Sequence, residues 1–317
     1  MSRQTIHYIL EHLLRAAVTE SEDGALPDDE TLIRMTEETV AEYVERICPK
    51  ELRESRRLRH LYTRLKRLSL LMVRNIVEEF SHSTFRPAFF ELNTNGKDGN
   101  PSPMEFVLED GCRVSFAGII DRVDLLRRDG EVFVRVVDYK TGSKVFSLDD
   151  VAHGINVQML LYLFTLCRNR DPAFAERVGL PQDGSLTPAG VVYLSANIPV
   201  IQAEDYDSEE EVLRKAGDSL KRSGLLLNDI DVLRAMNDEL SSGFLAGIKQ
   251  SKKDGSLSGD ALCGADGFLA LYGQIEETIK TITAKMRGGQ ADASPLTYGG
   301  KDPCSYCNMK PICRKID

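Results

Sequence analysis

The sequence predicts an α/β fold: a central mixed β-sheet flanked by helices. Three observations lead to it. Residues 5–80 repeat apolar side chains at helical spacing, and residues 86–140 switch to short β-branched and aromatic runs divided by turn signals. A helix-patterned segment then leads to one more buried strand. With 317 residues, 42% of them hydrophobic, the chain can bury a large core.

Taken in order, TIHYILEHLLRAAV places Ile6, Ile9, Leu10, Leu13, Leu14 and Val18 at helical spacing, with His7 and Glu11 one turn apart on another face. SEDGALPDD, residues 21–29, breaks that helix. Two more follow, ETLIRMTEETVAEYVERI and ELRESRRLRHLYTRLKRLSLLMVRNIVEEF. The second carries Arg53, Arg56, Arg57, Arg59, Arg64, Lys66 and Arg67 above an apolar stripe, either a solvated face or a contact for phosphate or a partner. From residue 86, RPAFFELN, MEFVLED, CRVSFAGIIDRVDLL and VFVRVVDYK read as strands. DDVAHGINVQMLLYLFTLC then reads as a helix and AGVVYLSA as a buried strand. Residues 201–260 are polar, with SSGFLAGIKQSKKDGSLSGD as a mobile loop, and DGFLALYGQIEETIKTITAKM forms a last helix.

Charge narrows the function classes. Forty-nine Asp and Glu against 40 Lys and Arg, a net charge of -9, exclude a bulk-basic nucleic-acid binder but leave room for a local basic groove or a cation site. The sequence shows neither a signal-peptide pattern nor an apolar run of membrane-spanning length, so a soluble cytoplasmic protein without a membrane partner is expected. No G-x-x-x-x-G-K-[ST] loop points to ATP hydrolysis. Cys48, Cys112, Cys167 and Cys263 are scattered, whereas Cys304, Cys307 and Cys313 crowd into CSYCNMKPIC. Seven is an odd count, which speaks against a disulfide framework.

The sharpest signal is VVDYKTG, where Asp138 precedes Lys140 by two residues at the end of an apolar run. Asp129-Gly130 is a favoured pair for a two-residue type I′ hairpin, and such a turn dictates which residues face each other. Arg128 then meets Glu131, Leu125 meets Val134, Asp124 meets Arg135 and Val123 meets Val136. Continued outward, this register sets Asp121 opposite Asp138. Alternation puts Asp121, Asp138 and Lys140 on one face and Asp124 with Arg135 on the other. Two facing carboxylates repel unless a cation lies between them, so the pair predicts a Mg²⁺ or Mn²⁺ site. A lysine beside it can orient a water or stabilise charge on a phosphate.

GIIDRVD, VVDYKTG and QMLLY together resemble the motifs of the PD-(D/E)XK nucleases, in particular the RecB-like branch, whose order is His, G-x-I-D, D-Y-K and Q-x-x-x-Y. TIHYILEHLL is similar to that branch's leading helix. The resemblance implies a restriction-endonuclease-like core and a Mg²⁺- or Mn²⁺-dependent nuclease. His7, Asp121, Asp138 and the backbone carbonyl of Tyr139 would be metal ligands, Lys140 the catalytic lysine, and Gln158 and Tyr162 the pair that positions the strand. Glu91 matches an acidic residue that the family often places before the hairpin.

CSYCNMKPIC, followed by Arg314 and Lys315, resembles the iron-sulfur staple of AddB subunits of bacterial AddAB helicase-nucleases. PAGVVYLSANIP and SGLLLNDIDVLRAMND resemble further segments of that subunit type. The resemblance implies a single nuclease domain: N-terminal helices over 1–80, a catalytic core over 86–200, an insertion with helices over 201–300 and a partial staple over 304–313, with the C-terminal segment returning to the N-terminal helices. Its implied substrate is DNA, single-stranded and supplied by an AddA-like helicase-nuclease subunit during double-strand-break processing. Family members usually have a glycine where Arg3 stands here, and they take a first cluster cysteine from upstream of the histidine. Cys304, Cys307 and Cys313 thus supply three of the four thiolates of a 4Fe-4S cluster, and an incomplete cluster is the expectation. Of the remaining cysteines, Cys48 is the best candidate for a fourth ligand. Two other readings exist: a catalytically silent nuclease-like module that binds DNA or a helicase, and a thiol redox protein built on CSYC.

Overall fold

The computed structural model describes residues 3–19, 25–47, 55–140, 146–181, 184–195, 220–240, 245–251, 253–290, 292 and 294–313. Three helices come first: α1 Arg3–Thr19, α2 Asp29–Ile47 and α3 Arg56–Ser81. The apolar stripes explain their packing, since Ile6, Ile9, Leu10, Leu13 and Leu14 of α1, Leu32 and Val40 of α2, and Met72, Val73 and Ile76 of α3 are all buried. Ser55 caps α3 by accepting the Leu58 amide. α2 and α3 run antiparallel, with Arg74 paired to Asp29 and Lys66 to Glu37. The first turns of α1 reach the last turns of α2, where Thr5 and Tyr43 share a 2.9 Å hydrogen bond and Arg46 lies over the Tyr8 ring.

The strands are β1 Arg86–Asn93, β2 Met104–Val107, β3 Arg113–Phe116, β4 Ile119–Arg128 and β5 Glu131–Lys140. After them come α4 Leu148–Ala152, α5 Gln158–Cys167, α6 Pro172–Arg177, β6 Leu186–Ser195, β7 Ser223–Leu227 and α7 Ile230–Met236. Two-residue strands β8 Lys249–Gln250, β9 Leu257–Ser258 and β10 Leu262–Cys263 precede the long α8 Ala265–Arg287. The central sheet has the order β1-β4-β5-β6-β7-β10. It is mixed, as expected: β5 pairs parallel with β6 and β7 with β10, while the other pairings are antiparallel. A parallel neighbour needs a crossover, which α4, α5 and α6 provide between β5 and β6.

The hairpin register is the one predicted. β4 and β5 pair from Arg122 with Val137 down to Arg128 with Glu131, and Asp129 and Gly130 take positive φ angles of 52° and 84°, as a type I′ turn requires. Among the described residues, no helix is long and apolar enough to cross a membrane.

Four elements differ from the sequence reading. The helix expected over 149–167 is two, because Gly154 and Asn156 adopt left-handed φ angles of 74° and 59°, which end α4 and place Gln158 at the first position of α5. CRVSFAGIIDRVDLL splits into β3 and β4 around Gly118. The polar stretch over 201–260 contributes to the sheet, since the buried run Leu225, Leu226 and Leu227 makes β7 antiparallel to β6, and part of the expected mobile loop forms the β8–β9 hairpin. Finally, the C-terminal segment was expected to return to the N-terminal helices. Residues 298–301 are fastened instead to α4, where the buried Asp150 carboxylate accepts Tyr298 Oη at 2.8 Å, Lys301 Nζ and Asn156 Nδ2 at 2.6 Å. The His153 ring stacks on Tyr298 with centroids 4.2 Å apart. A carboxylate buried this far needs donors from outside its own helix, and the C-terminal segment supplies two of them.

Candidate metal centre and active site

β4 and β5 present opposite characters on their two faces. Asp121, Asp138 and Lys140 alternate onto one, and Arg122, Asp124 and Arg135 onto the other. At the end of the hairpin the Asp121 carboxylate is nearly enclosed. Its Oδ2 accepts the Tyr139 amide at 2.9 Å, which turns Oδ1 toward His7 Nδ1, 3.2 Å away. The buried apolar stripe of α1 holds His7 in place from the flank of the helix. The other ring nitrogen, Nε2, lies 3.2 Å from the Tyr139 carbonyl. Glu91 enters from β1, with Oε1 3.6 Å from His7 Nδ1.

One ligand atom from each of His7, Glu91 and Asp121 lies within 4.8 Å of the others, the one such trio of His, Cys, Asp or Glu among the described residues. Glu91 also has a φ of 49°, inside a strand and between the pairs Phe90 with Arg122 and Leu92 with Ile120. A left-handed non-glycine residue costs on the order of 1 kcal/mol or more and persists where the surroundings impose it. Here it aims a carboxylate at His7. One imidazole and two carboxylates form a donor set that fits a small hard cation such as Mg²⁺ or Mn²⁺, and the Tyr139 carbonyl faces the other ring nitrogen of His7.

Asp138 is not a member of this trio. It is buried, and its Oδ2 lies 2.8 Å from Lys140 Nζ, which in turn sits 5.2 Å from the centre of the Tyr193 ring. Thus the structure draws together His7, Asp121 and the Tyr139 carbonyl, brings in Glu91, and pairs Asp138 with Lys140. Burial, with the Asp138 charge adding to it, pushes the Tyr193 phenol well above its usual range, so that ring stays neutral beside the lysine.

Gln158 and Tyr162, one turn apart on α5, share a 2.8 Å hydrogen bond. The Tyr162 hydroxyl lies against Gly118, where an added Cβ would collide with it. The glycine of GIID is therefore a contact surface for Tyr162. Gly118→Ala is expected to displace Tyr162 and destabilise the fold by about 1–3 kcal/mol. Thermal denaturation checks this; an unchanged melting temperature would refute the contact.

The cysteine segment is mostly exposed. Cys304 lies in a 3₁₀ turn, Pro303–Tyr306, and the amides of Cys307 and Cys313 bond back to Cys304 O and Met309 O. Cys304, Cys307 and Cys313 offer three thiols where a cubane cluster takes four. Cys48, Arg314 and Lys315 lie outside the described residues. Burial pushes the Cys167 thiol far up, which keeps it protonated and unreactive at the edge of the core.

Behind the hairpin, sequence reasoning placed Asp124 opposite Arg135 and did not find the rest. Arg122, Asp124 and Arg135 are fully buried together with Glu79 of α3 and Arg222, which precedes β7. Arg135 Nη2 reaches Asp124 at 2.6 Å and Glu79 at 2.9 Å, Arg222 Nη2 reaches Glu79 at 2.7 Å, and Arg122 Nε reaches Asp124 at 2.9 Å. Burial would raise the Glu79 carboxyl, but Arg222, Arg135 and Arg122 outweigh it and hold Glu79 ionised, far below the ordinary carboxylate range. This network ties α3 and β7 to the hairpin that carries the candidate metal ligand Asp121.

Comparison with known proteins agrees with this geometry. The family model described as the PD-(D/E)XK nuclease superfamily matches residues 4–314. Among curated proteins, the B subunit of the ATP-dependent helicase/deoxyribonuclease of Clostridium acetobutylicum is 31% identical over 264 residues, 83% of this chain and 22% of that protein. Its namesake in Bacillus anthracis is 32% identical over 264 residues, 81% of this chain and 22% of its own length. The one in Acetivibrio thermocellus is 27% identical over 310 residues, 98% of this chain and 26% of its own. The chain thus spans about a quarter of the length of these relatives. A family match over nearly all residues, laid on a mixed sheet whose central hairpin ends in the aspartates and the lysine, shows that the chain belongs to the PD-(D/E)XK nuclease superfamily.

Proposed function

We propose that this chain is a Mg²⁺- or Mn²⁺-dependent deoxyribonuclease domain that hydrolyses phosphodiesters in single-stranded DNA delivered by an AddA-like helicase partner. The observation that carries the reading is the meeting of His7, Glu91, Asp121 and the Tyr139 carbonyl at the end of the hairpin, with Lys140 on the same strand. The relatives' names, which join helicase and deoxyribonuclease, support the substrate and the partner, and such a role places the chain in the cytoplasm.

A bound divalent cation would supply Lewis-acid polarisation of the phosphodiester. The protein's own groups do the rest. The Tyr139 amide fixes the Asp121 carboxylate, so one oxygen stays turned to the ligand cluster. Asp138 holds the Lys140 ammonium extended, where it can orient an attacking water or offset negative charge on the phosphate. Gln158 and Tyr162, linked to each other, offer polar groups from α5 for the DNA backbone.

Digestion of a labelled single-stranded oligonucleotide with Mn²⁺, in parallel with a duplex of the same sequence, tests the reading. The chain is expected to cut the single strand, EDTA to stop it, and Lys140→Ala to slow it on the order of 10²-fold or more. Equal rates for parent and Lys140→Ala would reject the assignment, and no cleavage by the parent would favour the silent DNA-binding module.

A further inference from the structure

We propose that the exposed arginine face of α3 is a phosphate track for the single strand that enters or leaves the metal centre; this rests on the nuclease reading above. Arg56, Arg57, Arg59, Arg64 and Arg67 are all exposed. None of them has an acidic partner among the described residues. At 100° per residue, Arg56, Arg57, Arg64 and Arg67 fall within one sector of the helix, over a length of about 16 Å.

Left alone, this arrangement is unfavourable. Arg64 and Arg67 repel each other across one turn, as do Arg56 and Arg59. Arg56, Arg57 and Arg59 also stand in the first turn, where the helix dipole disfavours cations, and no acidic residue accompanies them there. The neighbouring helix relieves this only in part, since Glu45 of α2 lines a surface depression with Arg59, the arginine outside that sector. Asp29 and Glu37 of α2 are taken by Arg74 and Lys66, and Glu38 by Arg34. In a chain of net charge -9, five guanidiniums without an ion pair among the described residues make a concentrated positive face that favours an anion from outside.

Their place in the fold selects the anion. His7 lies in the early turns of α1, which meet the last turns of α2 at Tyr43 and Arg46. The same end of α2, at Ala41, Val44 and Glu45, shares a surface depression with Leu58, Arg59 and Tyr62 of α3. The first turn of α3, with Arg56, Arg57 and Arg59, is therefore at the His7 end of the helical layer, and α1 packs directly against α3. A nucleic-acid strand is an anion long enough to occupy the centre and this face together. Arginine's planar fork suits its phosphates. An acidic protein surface would satisfy the charge but has no reason to lie in line with the catalytic end.

The test is salt-dependent binding of a fluorescent single-stranded oligonucleotide, carried out in the Lys140→Ala background so that the probe stays intact. Adding Arg57→Ala, Arg64→Ala and Arg67→Ala is expected to lower the slope of log K against log[salt] by about 2, since each single-strand phosphate contact contributes about 0.7. Lys249→Ala, Lys253→Ala and Lys285→Ala, which remove three cations elsewhere, should leave the slope at the parent's value. In the catalytically intact chain, the arginine variants should raise KM for the oligonucleotide and leave cleavage of a small chromogenic phosphodiester unchanged. A triple arginine variant with the parent's slope overturns the proposal; if it also loses binding to polyglutamate, the face belongs to an acidic protein partner. Failure of the parent to cleave either substrate bears on the nuclease reading alone, because the binding slope decides the role of α3 independently.

Discussion

Glu79→Ala is expected to destabilise the chain by about 3–5 kcal/mol, the largest stability effect of any single substitution in the buried network. Glu79 neutralises Arg135 and Arg222 directly and lies 3.5 Å from Arg122, all in the interior. Without it, three guanidiniums share only Asp124, and burying uncompensated charge is far more costly than losing one surface ion pair. Denaturant unfolding of the parent and of Glu79→Ala checks this, and coincident midpoints would show that the network adds no stability. The pH dependence has a definite sign. Because the folded state holds the Glu79 carboxyl below its ordinary value of 4.5, its contribution is complete above that pH and is lost progressively as pH falls below it. Glu79→Gln should therefore flatten the acid limb of the stability profile as well as lower its plateau.

Asp121→Asn and Asp138→Asn are each expected to cut DNA cleavage on the order of 10²- to 10³-fold while the fold stays intact. Asp121 is the carboxylate common to the His7 contact and the Tyr139 amide, so its loss should also weaken Mn²⁺ binding measured by calorimetry, as should His7→Ala and Glu91→Gln. Asp138 now answers to Lys140, and a cation arriving at the trio would compete for it. Asp138→Asn is expected to weaken Mn²⁺ binding as well. Its melting temperature should hold or rise, since a charge is removed from a buried position. Parent-like cleavage by either variant in Mg²⁺ and Mn²⁺ would remove that residue from the catalytic assignment.

The residues of the site were legible to different depths. Asp121, Asp138 and Lys140 were placed on one face because a two-residue turn sets the register and a strand alternates with period two, rules that need only adjacent sequence. His7 as a ligand came from resemblance, since nothing local says that α1 delivers its ring to a carbonyl 132 positions later. Glu91 carried a weak signal. Its left-handed φ interrupts a strand that reads as regular in RPAFFELN, and only the three-dimensional neighbours impose it. Glu79 does leave a trace in the sequence: it is a charged residue between Ile76 and Phe80, on the buried stripe of α3. What it meets is not written there.

By itself, then, the sequence determined the α/β class, the three leading helices, the Asp129-Gly130 hairpin and the shared face of its two aspartates and lysine. Each follows from periodicity or turn chemistry acting over a few residues. The tertiary structure alone decided that Glu79 and Arg222 close a charge network behind the hairpin, that Glu91 joins His7 and Asp121, that β7 enters the sheet from a polar stretch, and that the C-terminal segment is fastened to Asp150 of α4. These encounters join residues up to about 150 positions apart. Burial forces each charged or polar group to find a partner, and which partner is in reach depends on how the helices and strands pack, not on the neighbouring sequence.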